Sequence, residues 1–258
     1  MNSSKNIQEI FNQKGVIGLL IIILLIIVSI IFAYTHQSEQ QEGELLINVS
    51  NFNAPRFVED TEVKDAIAKM NLDQAGVKEA SITEIENKLK EIQFVRDAQV
   101  SKDIKNNLVI DIEQDRPIAR VITPSGNSTY INQEGKMIGL SKKYSARVVL
   151  ITGKGADKLL NQKFLKESVY GKNLLEFVNT LSNDRFWNAQ LTQLDIQTNM
   201  DIIAYPQVGK ERIEFGLPTG YSKKLGKLKL YYNSIVANKG WNVYKNIKLQ
   251  YEGQIVCD

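Results

Sequence analysis

The run from Gly15 to Tyr34, GVIGLLIIILLIIVSIIFAY, holds no charged residue in 20 positions, and it restricts the chain more than any other stretch. As a helix rising about 1.5 Å per residue it covers about 30 Å, the thickness of a bilayer's hydrocarbon core. A helix buried in a soluble protein usually keeps a polar side. A secretory signal has a shorter apolar region closed by a small-x-small cleavage site, and Ile31-Phe32-Ala33-Tyr34 is a poor site of that kind. The run therefore predicts an uncleaved transmembrane helix at residues 15–34, in contact with membrane lipid. Lys5 and Lys14 precede it, whereas Glu39, Glu42 and Glu44 follow it before the next basic residue, Arg56. Positive flanks stay on the cytoplasmic side. Residues 1–14 are thus expected in the cytoplasm and everything after about Thr35 outside it.

The exported part has to fold without covalent or metal staples of its own. Among 258 residues there is one histidine, His36, and one cysteine, Cys257. An intramolecular disulfide is excluded, and a His/Cys metal centre or Cys-His dyad lacks its second member within one chain. About 220 residues are nevertheless enough to bury a sufficient core. With Lys+Arg 32 against Asp+Glu 29, interleaved along the sequence, no basic stripe for a nucleic-acid partner is formed. A composition of 43% hydrophobic and 24% charged residues excludes disorder and a multi-span transporter.

Residues 35–43, THQSEQQEG, are polar and aperiodic and read as a linker. A strand is expected at Leu45 to Val49, then a helix opened by Asp60-Thr61-Glu62 with Val63, Ala66, Ile67 and Met70 at helical spacing. Ser81-Ile82-Thr83-Glu84 fits a capping box ahead of a second helix whose apolar face is Ile82, Ile85, Leu89 and Ile92. Phe94-Val95 leads into a strand with Ala98 and Val100. The polar KDIKNN turns the chain, and Leu108 to Glu113 alternates. Two helices on one face of a three-stranded sheet would bury both apolar surfaces.

The stretch IENKLKEIQFVRDAQVSKDIKNNLVIDIEQDRPIARV resembles the second half of a POTRA domain and its exit segment. The likeness lies in an apolar helix, a Phe-Val pair, an Ala-x-Val strand, a Leu-x-Ile-x-Ile-x-Glu strand and Arg-Pro-Ile-Ala. Placed after a single anchor, it resembles the bacterial cell-division family FtsQ/DivIB. Later elements fit that order. Tyr130-Ile131-Asn132 precedes a turn at Gln133 to Lys136, and Arg147 to Ile151 reads as a strand. A helix with Leu174, Leu175, Phe177, Val178 and Leu181 on one face follows. Strands are expected at Leu191 to Ile196, Asp201 to Tyr205 and Glu211 to Gly216, then a helix over Tyr221 to Val236, a strand at Ile247 to Tyr251, and Gln254-Ile255-Val256.

The resemblance implies an α+β architecture: a POTRA-like β-α-α-β-β domain at 44–115 and a mixed β domain at 116–258, with helices on an antiparallel-rich sheet. It also implies a non-enzymatic divisome scaffold at the septum, binding FtsB/DivIC-like and FtsL-like single-pass partners and helping to control septal wall synthesis. In the family the last strand resembles a docking edge with an Arg-Tyr pair before a Gly-containing turn. Here Tyr251 and Gly253 match and Gln250 replaces the Arg, so Lys248, Gln250, Tyr251, Gly253 and Ile255 are the candidate partner-binding residues. Two other readings remain: an envelope-assembly or secretion protein that captures client polypeptides, and a membrane-anchored wall enzyme.

Little in the sequence favours catalysis or a cofactor, and none is expected. Gly153-Lys154-Gly155 lacks the spacing of a phosphate loop. Glu84/Glu86 and Asp111/Glu113 read as exposed charge, and no serine stands in an SxxK or nucleophile-elbow context.

Overall fold

The computed structural model describes residues 22–32, 44–50, 55–70, 79–105 and 107–258. The expected tail at 1–14, the linker at 35–43 with His36, and both ends of the 15–34 run lie outside them. Residues 22–32 form a helix, α1, whose side chains are all exposed. Among the described residues no helix is long and apolar enough to cross a membrane.

The elements β1 (Leu45–Ser50), α2 (Asp60–Ala68), α3 (Glu79–Lys90), β2 (Val95–Lys102) and β3 (Leu108–Gln114) come in the order expected from the spacing. They make a three-stranded sheet ordered β1-β3-β2, parallel between β1 and β3 and antiparallel between β2 and β3. The helical periodicity is what closes it: Val63, Ile85 and Leu89 are fully buried against Ala98, Val100, Ile110 and Ile112. One detail of the sequence reading is corrected. α3 already includes Glu79 and Ala80, so Ser81 lies inside the helix and does not cap it.

The chain then continues as β4 (Pro117–Ile122), β5 (Ser128–Asn132), β6 (Met137–Ile138), β7 (Val149–Thr152), α4 (Asp157–Leu160), α5 (Val169–Asn183), α6 (Arg185–Gln190), β8 (Leu191–Ile196), β9 (Ile202–Pro206) and β10 (Arg212–Gly216). It closes with α7 (Tyr221–Leu230), a π-helical segment at Tyr231–Val236, α8 (Ala237–Lys239), β11 (Asn246–Lys248) and β12 (Val256–Cys257). The strands form one sheet ordered β12-β11-β10-β9-β8-β7-β4-β5-β6. It is mixed: β4–β7, β7–β8 and β10–β11 are parallel and the other neighbours antiparallel. β4 is a strand where only an exit segment was expected.

Register explains the core. Val121, Ile151, Leu194, Ala204, Ile213, Ile247 and Cys257 stand side by side across seven strands. Because side chains alternate between faces, this row presents one apolar surface, and α5 and α7 cover it with Leu174, Phe177, Val178, Leu225 and Leu228. The Phe177 and Phe215 rings stack with centroids 4.4 Å apart. α5 and α6 start where side-chain acceptors meet free amides. Ser168 Oγ accepts from Gly171 N at 3.0 Å, and Asp184 Oδ1 accepts from Phe186 N at 2.8 Å.

Gly153, considered above for a phosphate loop, has a packing role. Its φ is +93°, and a Cβ there would lie 2.3 Å from the Ile196 carbonyl, so glycine is what allows the loop after β7 to touch the end of β8.

The small and large sheets share a boundary. Tyr130 and Ile138, from β5 and β6, are buried in the core of the small sheet. Asp115 and Asn132, 2% and 1% exposed, are joined by a 2.7 Å hydrogen bond from Asn132 Nδ2. Asn132 Oδ1 also accepts from Glu134 N and Lys136 N, which shapes the turn expected at 133–136. Lys143 pairs with Glu59 at 2.9 Å and with Glu62 at 3.3 Å across the same boundary.

Candidate partner-docking edge

The strand expected at Ile247 to Tyr251 is shorter and lies elsewhere in the sheet than its sequence position suggests. β11 ends at Lys248 and is paired on both sides, with β10 and with β12, so the open edge belongs to β12. At the opposite end β6 is covered: Met137 N donates to the Lys163 carbonyl at 3.2 Å and Lys136 bridges to Phe164.

The hydrogen-bond pattern says which groups of β12 face out. Asp258 N donates to the Asn246 carbonyl at 3.1 Å and Asn246 N donates to the Asp258 carbonyl at 3.0 Å, a reciprocal pair. In an antiparallel ladder such pairs alternate with pairs whose N–H and C=O turn away. Val256 therefore pairs with Lys248, whereas the backbone groups of Cys257 point to the open side. The terminal residue is further secured by Asn246 Nδ2 and Lys248 Nζ, which reach the Asp258 carboxylate at 2.7 and 2.6 Å. Those two groups hold the Asp258 carboxyl below its ordinary range.

All five candidate residues lie on this hairpin, and their parts differ. Lys248 is engaged with Asp258. Gln250 is exposed and lines two open depressions, one of about 470 Å³ with Asp201, Arg212 and Glu214, and one of about 530 Å³ with Lys223, Lys224 and Tyr251. Tyr251 is 44% exposed. Gly253 adopts φ +71° in the turn, so its role is conformational. Ile255 is half-buried and packs on the large core beside Cys257. Burial raises the pKa of the Cys257 thiol, which disfavours the reactive thiolate.

Sequence reasoning missed the residue that organises the hairpin. Lys227 Nζ donates to the carbonyls of Leu249 and Tyr251, each at 2.6 Å, and to that of Gln254 at 3.2 Å. Next to it Lys224 Nζ reaches the Leu217 carbonyl at 2.6 Å and lies 5.1 Å from the Phe215 ring centre. Burial, followed by the charge of Lys227, lowers the Lys224 pKa. In the sequence Lys227 is one of four lysines in KKLGKLKL, and backbone carbonyls as acceptors leave no sequence signal. Among the described residues no group of three or more His, Cys, Asp or Glu could hold a metal ion.

The fold is a mixed α+β one, and its last strand leaves an open sheet edge, the geometry that strand addition uses. The family model described as FtsQ/DivIB, C-terminal related, matches residues 116–258, more than half of the chain. The chain belongs to this FtsQ/DivIB-related family, which in general comprises non-enzymatic division scaffolds associated with the divisome. No curated protein matches the chain.

Proposed function

We propose that the chain is a single-pass scaffold of the divisome, with residues 1–14 cytoplasmic, 15–34 in the plasma membrane and the remainder extracytoplasmic at the septum. Residues 44–115 act as a POTRA-like unit and 116–258 as the β domain. The protein joins FtsB/DivIC-like and FtsL-like partners and helps to control septal peptidoglycan synthesis. No bond is made or broken. A partner strand pairs with the outward N–H and C=O groups of Cys257, and side chains around Gln250, Tyr251 and Ile255 choose among strands.

The observation that carries this reading is the open edge of β12 within a family-matched domain, held in place by Lys227 and by the Asp258 contacts. The exposed apolar surface of α1 and the charge asymmetry of its flanks support the anchor. The test is binding of a purified FtsB/DivIC-type partner to the full-length chain in detergent. Tyr251→Ala is expected to weaken capture about tenfold with an unchanged unfolding temperature, a loss in the range of an interface anchor. Unchanged affinity would remove Tyr251 from the interface.

A further inference from the structure

At the end of the large sheet where β10 and β11 begin, a second surface is built from aromatic residues that strand pairing does not use. Phe186, Val208, Trp241 and Val243 are 40, 49, 46 and 49% exposed. Tyr232, 8% exposed, lies between the two exposed rings, with centroids 6.1 Å from Phe186 and 5.8 Å from Trp241. The Phe186 and Trp241 rings therefore both lie against Tyr232, no more than about 12 Å apart. The loops are tied together there: Gln190 Nε2 donates to the Val208 carbonyl at 3.2 Å and Lys210 N to Asn242 Oδ1 at 2.8 Å.

Two features mark this end of the fold as kept for something other than stability. Tyr232 belongs to the π-helical segment Tyr231–Val236, a geometry that is rare and concentrated at functional sites. Under the patch the Glu211 carboxylate and the Tyr232 hydroxyl are buried without hydrogen-bond partners among the described residues, which a surface selected only for stability would avoid. The rim is cationic. Lys229 Nζ lies 6.0 Å from the Phe186 ring centre, Lys239 Nζ reaches Tyr244 Oη at 3.0 Å, and Lys210 is exposed. None of these three lysines has an ion-pair partner among the described residues.

We infer that this patch docks an amphipathic helix of a partner protein, its apolar stripe on Phe186, Tyr232 and Trp241 and its flanks carrying Asp or Glu opposite Lys210, Lys229 and Lys239. The apolar centre supplies burial, and the three lysines, which have no ion-pair partner among the described residues, supply charge complementarity to an acidic helix flank. The inference does not depend on strand capture at β12.

The test places photo-reactive benzoyl-phenylalanine at Val243 of the full-length chain in cells and sequences the crosslinked segment. The expected adduct is a partner segment with apolar residues at helical spacing flanked by Asp or Glu. Its yield should fall at least tenfold in Trp241→Ala and in the double variant Lys210→Glu, Lys229→Glu, whose lysine side chains are exposed. An adduct only with lipid or with a second copy of this chain would overturn the inference, as would no adduct, or one indifferent to charge reversal.

Discussion

Three backbone carbonyls converge on the single ammonium group of Lys227, and the C-terminal hairpin takes its shape from that convergence. Lys227→Met keeps the aliphatic stem and removes the donors. Since a hydrogen bond from a charged group contributes about 1.5–3 kcal/mol, we expect a loss of about 2 kcal/mol, concentrated in the hairpin. Hydrogen exchange reads it directly: amides of Val256 and Asp258 should exchange faster while those of β7 and β8 do not change. Asp258 gives a pH dependence of known sign. Its carboxyl is held below the ordinary 3.8 by Lys248 and Asn246, so its contribution is present above that value and disappears as pH falls through the lower folded-state value. The Asn246 side-chain amide resonance should therefore keep its bonded position at pH 5 and move only below about pH 4, and an Asp258→Asn variant should lack that transition.

At the scale of the element, the ladder geometry of β12 separates two prolines that sequence alone would treat alike. The Cys257 N–H faces out, so Cys257→Pro should leave the β11–β12 pairing and the unfolding temperature nearly unchanged while removing a donor that a partner strand needs. The Val256 N–H faces β11, so Val256→Pro should release the edge itself. Circular dichroism melts together with partner binding distinguish them: the first variant folds and fails to bind, the second loses thermal stability. The helices and most strands were legible because their apolar residues follow periods of 3.6 or 2, as in α5 and β3. β12 was legible only roughly, as Gln254-Ile255-Val256 where the strand is Val256–Cys257, since two residues carry no period. β11 was read two or three residues too long because Leu249 and Tyr251 continue the alternation, although Lys227 and the Gly253 turn bend the chain away. The π-helical segment was invisible for a related reason: Leu225, Leu228 and Tyr232 fit an α-helical stripe.

For the whole molecule, the boundary between the two sheets matters as much as either sheet. The small core includes Tyr130 and Ile138 from the large one, and the buried Asp115–Asn132 pair sits at the junction, so the two are expected to unfold together. Asn132→Ala strands Asp115 and two turn amides. Leaving buried polar groups without partners costs about 1–3 kcal/mol each, so a drop of about 3 kcal/mol is expected. Calorimetry should show one transition in the parent and a lower or divided one in the variant. Family membership was legible from the order of elements along the chain, whereas the position of the open edge depended on long-range pairing that the sequence does not display.

The central claim is that this chain recruits division partners through the edge of β12. The most direct measurement replaces the native protein in cells with a fluorescent fusion of the parent or of Cys257→Pro, and records midcell signal, co-recruitment of the FtsB/DivIC-type partner, and cell length. The parent should concentrate at midcell and sustain normal length. Cys257→Pro should fail to retain the partner and give filaments at equal protein level. A diffuse parent fusion with normal cell length after depletion of the native protein would contradict the division role, and full function of a folded Cys257→Pro protein would contradict the edge.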